Sequence, residues 1–375
     1  MLQCDSGQRR MRVVFSNYDD IQNPWYGGGG ARAIHEIARR LAARHKVHVV
    51  TGRYPGCCDC VVDGVGYSRI GTAIAGPYVA QLSFAFSLPR KVRTLEFDVW
   101  VESLTPPFST ACLQKFTNKP VVVLTQVLAG EGMTRKYHLP FASIERRGLR
   151  CYRYAIAVST SIEQRLHAIN PQLVTTVIPN GTDRDAIERN VYPSPEHLLF
   201  LGRLDVAQKG LDLLLESYAQ LTPNVQVPLV IAGGGPKGDT AFVARRVAEL
   251  GLQNRVRLIG RVGQQEKEDL FRRSVCLLLP SRFEASPLVI VEAFCCRVPV
   301  VLFDIPDLSW VPDDCCVRVP AFNTQAFARA VEELINSPER RNAIAQKGKL
   351  AAREYDWDKL AARYEEFLQR VIQEH

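Results

Sequence analysis

Arg203 and Lys209 flank a short polar stretch, Leu201-Gly202-Arg203-Leu204-Asp205-Val206-Ala207-Gln208-Lys209-Gly210, directly after the apolar run His197 to Leu201. Two cations at the carboxyl end of a strand can converge on a diphosphate, because open α/β sheets bind ligands outside those ends. Solvated surface charge is the competing reading. A second constellation is Arg282-Phe283-Glu284-Ala285-Ser286-Pro287-Leu288-Val289-Ile290-Val291-Glu292. Glu284 falls in a loop after the strand-like Val275 to Leu279. Glu292 falls on a helix-patterned segment beside Val289, Ile290, Val291, Ala293 and Phe294, where a carboxylate is costly to bury without a partner. Ribose hydroxyls are natural partners for such an acid. The amino terminus of that helix, near Ser286, offers N–H donors to a sugar or phosphate.

A third pattern is Tyr26-Gly27-Gly28-Gly29-Gly30, set between a strand, Met11 to Ser16, and a helical repeat, Ala31 to Arg44. Glycine lets the backbone approach a ligand, and the helix start presents free N–H groups to anions. The spacing matches neither G-x-G-x-x-G nor G-x-x-x-x-G-K-[ST], which disfavours a Rossmann dehydrogenase or a P-loop enzyme. A flexible loop without a ligand is an equal reading.

Alternating elements must position these residues. Strand–helix–strand patterning runs from Met11 through Val47 to Thr51, Val99 to Glu102, Val121 to Leu124, Ala155 to Val158 and Thr175 to Ile178. It resumes at His197 to Leu201, Leu229 to Ala232, Val256 to Leu258, Val275 to Leu279 and Val298 to Leu302. Helices fit Leu211 to Gln220, Thr240 to Leu250, Gln265 to Ser274, Pro287 to Cys296 and Thr324 to Asn336. Two β/α domains in tandem follow, joined near residues 182–196. Asn180-Gly181 forms a turn. Ser159, Thr160 and Ser161 form either a helix cap or a ligand-facing turn. The tail, Tyr355 to Glu374, is an amphipathic helix whose apolar stripe must cover something.

A chain of 375 residues, 46% hydrophobic and 23% charged, is long enough for two cores and excludes disorder and low-complexity arrays. No run approaches the ~18 apolar residues of a membrane span, and Met1 to Arg10 lacks the apolar core of a secretory signal, so a cytoplasmic protein is expected. The net charge of +8 favours nucleic acid, an anionic membrane or a phosphorylated substrate, or marks a merely basic surface. No aromatic platform supports nucleic acid. The 11 cysteines read as reduced thiols. Cys57-Cys58-Asp59-Cys60, Cys295-Cys296 and Cys315-Cys316 lack zinc-site spacing. Ile144 to Tyr154, with Arg146, Arg147, Arg150, Arg153, Leu149 and Tyr152, reads as a solvated helix face or as a surface for anionic lipid.

Taken in order, the glycine loop, Asn180-Gly181, Gly202-Arg203 with Lys209-Gly210, Gly233-Gly234-Gly235-Pro236 and the Glu284/Glu292 pair resemble the retaining glycosyltransferases of family 4 (glycosyl transferases group 1). The resemblance spans almost the whole chain. It implies an α/β fold of GT-B type, with two Rossmann-like β/α/β domains facing a central cleft. The implied boundaries are 11–185 for the acceptor-binding domain, 186–354 for the nucleotide-sugar domain and 355–375 for a helix crossing back to the first domain.

The resemblance also implies roles. Arg203 and Lys209 neutralise the leaving diphosphate, and Glu284 faces the donor sugar, whose hydroxyls meet the backbone of Ala285, Ser286, Pro287 and Leu288. Glu292 holds the ribose, Arg261 and Val262 flank the base, and Gly28 and Gly29 approach the phosphates. The implied reaction is hexosyl transfer with retention from a nucleotide-sugar, UDP being the commonest carrier, to a glycan, lipid-linked or small-molecule acceptor. It needs no metal and no cofactor. Peripheral contact with the inner face of an anionic membrane is compatible with it. Two positions depart from the pattern. Gln126 stands where the family often has a His that contacts the donor sugar, so it either substitutes as a hydrogen-bonding group or changes sugar preference. Arg297 replaces a glycine before Val298-Pro299-Val300, either reaching the site or lying on the surface. A non-catalytic nucleotide-sugar-binding subunit and a sugar-nucleotide epimerase are the alternatives. The Glu284/Glu292 pair argues against the epimerase.

Overall fold

The computed structural model describes residues 10–25, 29–74, 76–104, 112–191, 193–222 and 225–375. The chain divides into two compact units, one running to Asn180 and including Trp357–His375, the other Gly181–Asp356.

The first unit is built on β1 (Arg12–Ser16), α1 (Gly29–Ala42), β2 (Lys46–Gly52), β3 (Cys60–Val62), β4 (Val65–Ile70), α2 (Gly76–Thr94), β5 (Val99–Ser103), β6 (Val121–Thr125), α3 (Gly130–Tyr137), α4 (Phe141–Leu149), β7 (Tyr154–Ala157), α5 (Thr160–Ile169) and β8 (Val174–Val177). The strands form one sheet in the order β3-β4-β2-β1-β5-β6-β7-β8. All pairs are parallel except the β3–β4 hairpin at the edge. β5 and β6 are buried along their whole length, and β6 accordingly reads as the near-continuous apolar run Val121 to Leu124.

The sequence reading assigns nothing between Arg53 and Asp98, where the structure places β3, β4 and α2. Helix α2 buries Ala80, Phe84, Leu88 and Val92 yet exposes Tyr78, Val79 and Phe86, so apolar residues on both faces hide its period. Helix α1 begins at Gly29, earlier than the expected Ala31. Gly29 and Gly30 therefore form its first turn, not a loop. Gly28 lies outside the described residues.

The chain leaving β1 is pinned by Asp20. Its carboxylate accepts from Thr51 Oγ1 at 2.8 Å, Arg69 Nε at 2.9 Å and the Gln22 N–H at 2.8 Å. Asp20 and Arg69 are wholly buried, so this pair fixes the route toward α1. α14 (Trp357–Glu374) belongs to this unit. Its stripe of Trp357, Leu360, Tyr364, Phe367, Leu368 and Val371 is buried. Polar ties to α1 and the turn after it add to that burial. Arg40 pairs with Asp358 at 2.6 Å, and His45 Nε2 hydrogen-bonds Glu365 Oε1 at 3.0 Å. The Met11 N–H donates to His45 Nδ1 at 3.3 Å, so it is Nε2–H that faces the carboxylate.

The segment Ile144 to Tyr154 is not one continuous helix. α4 stops at Leu149, and Leu149, Tyr152 and Tyr154 are core residues. The Tyr152 hydroxyl donates to Glu102, and burial, reinforced by that carboxylate, pushes its pKa well above the usual phenol value.

The second unit contains α6 (Arg184–Glu188), β9 (His197–Leu201), α7 (Val206–Lys209), α8 (Leu211–Ala219), β10 (Leu229–Ala232), α9 (Lys237–Glu249), β11 (Val256–Gly260), α10 (Gln264–Arg272), β12 (Ser274–Leu279), α11 (Leu288–Cys295), β13 (Val300–Asp304), β14 (Cys316–Pro320), α12 (Thr324–Asn336) and α13 (Pro338–Ala351). Its six parallel strands lie in the order β11-β10-β9-β12-β13-β14. Strand order therefore reverses between β9 and β12, the kind of position outside whose strand carboxyl ends open α/β sheets take their ligands. The four cysteines at 295, 296, 315 and 316 are free thiols. Burial pushes their pKa values up to about 11 or 12, which makes them packing residues rather than nucleophiles.

Candidate active site

The reversal between β9 and β12 brings two of the expected residues together. Lys209, ending α7 after β9, places Nζ 2.5 Å from Glu284 Oε1 in the loop after β12. Both side chains are largely buried, at 14% and 4% exposure, so removing either charge leaves the other buried and uncompensated. Ser281 Oγ donates to the same carboxylate oxygen at 2.6 Å, and the Glu284 N–H donates to Asp307 Oδ2 at 3.1 Å.

The loop is fastened from below by Arg282. Its guanidinium grips Asp212 through two bonds, 2.9 and 2.7 Å, and its N–H donates to the Gln208 carbonyl at 2.8 Å. Burial works against the charged form of Asp212, but the paired bonds from Arg282 outweigh it and hold the carboxyl below its ordinary value.

Close backbone approach makes this geometry possible. Gly210 has φ +63°, and a Cβ there would lie 2.0 Å from the Pro280 carbonyl oxygen. Gly233 has φ +144°, and a Cβ there would lie 1.8 Å from the Gly202 carbonyl oxygen. Only glycine allows the ends of β9, β10 and β12 to press together in this way. The Gly202 N–H donates to the Ala232 carbonyl at 3.0 Å, and the Gly233 N–H to the Gly260 carbonyl at 2.7 Å.

Arg203 does not share a partner with Lys209. It is exposed and leans on α7, donating to Gln208 Oε1 at 2.5 Å and lying 3.6 Å from Asp205. Arg261 and Val262 follow β11, with the Arg261 side chain lying across Gly234. Ala285, Ser286 and Pro287 lead into Leu288, the first residue of α11. The N-cap position is Pro287, which has no side-chain group to cap the helix start.

Glu292, on α11, places Oε1 2.7 Å from Lys267 Nζ on α10, both side chains mostly buried. Arg297 lies past the far end of α11 with φ +56°, so it fills a left-handed turn that favours glycine and sits away from Ser286.

In the first unit, Gln126 follows β6 and exchanges two hydrogen bonds with Asn180. Asn180 Nδ2 donates to Gln126 Oε1 at 3.0 Å, and Gln126 Nε2 to Asn180 Oδ1 at 3.4 Å. It also lies within van der Waals reach of a Cβ at Gly30.

Residues 182–351 match the family model of glycosyl transferases group 1, and residues 27–186 that of Glycosyltransferase Family 4. The chain belongs to the group 1 glycosyltransferases. This group 1 glycosyltransferase is 31% identical over 177 residues to the alpha-D-kanosaminyltransferase of Streptomyces kanamyceticus, covering 45% of each chain. It spans about half the length of the curated relatives it matches. Its fold is that of a sucrose-phosphate synthase from Thermosynechococcus elongatus, with a TM-score of 0.82, 17% identity and coverage of 98% and 100% of the two chains. Anabaena HepE, solved in complex with UDP and glucose, aligns with a TM-score of 0.76, 18% identity and coverage of 96% and 100%. The group 1 glycosyltransferase is thus a GT-B protein of two Rossmann-like domains.

Sequence reasoning missed Ser281, Asp307, Lys267 and the bond between Gln126 and Asn180. Ser281 follows a strand as an ordinary polar residue. Lys267 and Asp307 meet their partners across 25 and 23 positions, with no local pattern to announce the contact.

Proposed function

We propose that the protein is a retaining glycosyltransferase that moves a hexosyl group from a UDP-sugar to a hydroxyl of a glycan, lipid-linked or small-molecule acceptor. The observation that carries this reading is the Lys209–Glu284 pair at the strand reversal of the second unit. It holds a buried ammonium where open α/β sheets take their ligands. The kanosaminyltransferase relative supports glycosyl transfer, and the UDP and glucose held by HepE support the donor.

In the reaction the bond from the anomeric carbon to the diphosphate oxygen breaks, and its electron pair leaves with the diphosphate. Lys209 stabilises that growing charge, and Arg203 swings from Gln208 to assist it. The acceptor oxygen bonds to the anomeric carbon on the same face, and a leaving phosphate oxygen takes its proton. No enzyme carboxylate forms a covalent bond, unlike a retaining glycosidase. Glu284 keeps Lys209 in place and borders the sugar. The N–H groups at the start of α11 take sugar hydroxyls, and Glu292 takes the ribose diol. These two cations replace the divalent metal that other transferases place on the diphosphate, so EDTA leaves the rate unchanged.

A panel of UDP-, GDP- and ADP-sugars mixed with acceptors and followed by nucleoside diphosphate release tests the reading. Release from a UDP-sugar is expected, with a product whose anomeric proton coupling matches the donor. An inverted product contradicts retention. Tight binding of UDP-sugar with no release on any acceptor would instead mark a binding subunit.

A further inference from the structure

Lys209 is carried on α7, a single turn of four residues. One turn has too few internal hydrogen bonds to hold its own shape, so its position must come from its neighbours. Asp205 caps its start, accepting from the Gln208 N–H at 2.9 Å. Two of its carbonyls are met by Arg282, in the loop after β12. Arg282 Nη1 donates to the Val206 carbonyl at 3.2 Å, and the Arg282 backbone N–H donates to the Gln208 carbonyl at 2.8 Å. The same guanidinium spans both carboxylate oxygens of Asp212, in the first turn of α8, at 2.9 and 2.7 Å. A planar fork bonded twice to a carboxylate has one preferred orientation. Arg282 thus ties α7, α8 and its own loop to one another. Two residues further along that loop, Glu284 meets Lys209 Nζ.

We propose that Arg282 is a positioning residue for the leaving group, holding α7 so that the Lys209 ammonium stays where a donor diphosphate is taken. This rests on the reading of Lys209 as the cation that stabilises the diphosphate. Removing the Arg282 side chain leaves Lys209 its charge and leaves Glu284 in the chain. The turn that carries the lysine, however, loses its tie at Val206 and its link to α8. The tie at the Gln208 carbonyl comes from the Arg282 backbone and survives, so the turn is loosened rather than released. A charged group misplaced by about 1 Å can cost about 10²-fold in rate, and a loosened turn costs part of that. Arg282 itself touches neither phosphate nor sugar on this account. Its contribution must pass through Lys209 and must disappear for a ligand without phosphates.

The test is a cycle of full-length variants against two probes, UDP and uridine, by calorimetry, with turnover of a UDP-sugar alongside. Arg282→Met keeps the apolar stem and removes the fork. It is expected to weaken UDP about tenfold, to leave uridine within about twofold of wild type and to lower kcat about tenfold. In a Lys209→Met background the same change is expected to cost nothing further in UDP affinity or kcat, because the group it positions is gone. Equal losses for UDP and uridine would overturn the proposal, since Arg282 would then act on the fold at large. A further loss in the Lys209→Met background would overturn it as well. Asp212→Asn weakens the fork from its other side, and it carries the test by the same split between the probes if Arg282→Met does not fold. Lys209→Met separates the two layers. If that variant binds UDP and turns over as wild type does, the leaving-group reading fails and the positioning role with it. If it loses UDP affinity while Arg282→Met and Asp212→Asn do not, only the positioning role falls.

Discussion

Replacing Lys209 with Met is expected to lower turnover by about 10²-fold or more, the scale seen when one group that stabilises transition-state charge is removed. It is also expected to destabilise the protein by about 3 kcal/mol, because Glu284 stays buried after losing its ammonium. Ser281 Oγ still donates to that carboxylate, which keeps the loss at the low end of the range for a broken buried pair. The two effects separate in the double variant Lys209→Met/Glu284→Gln. With both charges gone, thermal stability returns most of the way to wild type, whereas turnover does not. Calorimetric unfolding and steady-state rates on the single and double variants complete the cycle. Recovery of turnover in the double variant would mean that Lys209 serves only to neutralise Glu284.

The second large effect is expected at Gly210. Alanine there adds a Cβ 2.0 Å from the Pro280 carbonyl oxygen while holding φ at +63°. The left-handed conformation alone costs an L-residue about 1 kcal/mol. The overlap forces α7 away from the end of β12, and the total expected loss is about 3 kcal/mol or more. For a unit of this size that lowers the melting temperature by about 6–12 °C. The same movement pulls Lys209 from Glu284, so turnover falls with stability. Gly251 supplies the control. It has φ +68° and nothing within 4 Å of an added Cβ, so Gly251→Ala carries the backbone cost alone. Equal melting shifts at the two positions would show that the close approach to Pro280 is not what matters.

Much of this arrangement is legible from residue types because the second unit repeats a simple rule. Buried parallel strands such as Val275 to Leu279 read as unbroken apolar runs, and the polar residues after them mark the carboxyl ends where ligands bind. That logic places Lys209 and Glu284 after two strands without showing that the strands are neighbours or that the residues touch, since strand order cannot be read from either segment. The same limit hid Lys267 and Asp307. The glycine-rich start of α1 was assigned to a loop because glycine is a poor helix former, yet helix starts tolerate it. Helix α2 escaped because its apolar residues fall on two faces. Between Ile144 and Tyr154 the basic residues Arg146, Arg147, Arg150 and Arg153 are exposed while Leu149, Tyr152 and Tyr154 are buried, a division that residue types alone do not show. Arg297 shows the opposite case. The turn after α11 keeps the left-handed geometry suited to glycine even though an arginine occupies it.

The most direct measurement is a crystal structure of the protein soaked with UDP. The account predicts the diphosphate within hydrogen-bond reach of Lys209 Nζ, outside the ends of β9 and β12, with the ribose hydroxyls on Glu292. Nucleotide bound elsewhere, or bound there with Lys209 and Glu292 turned away from it, would contradict the account.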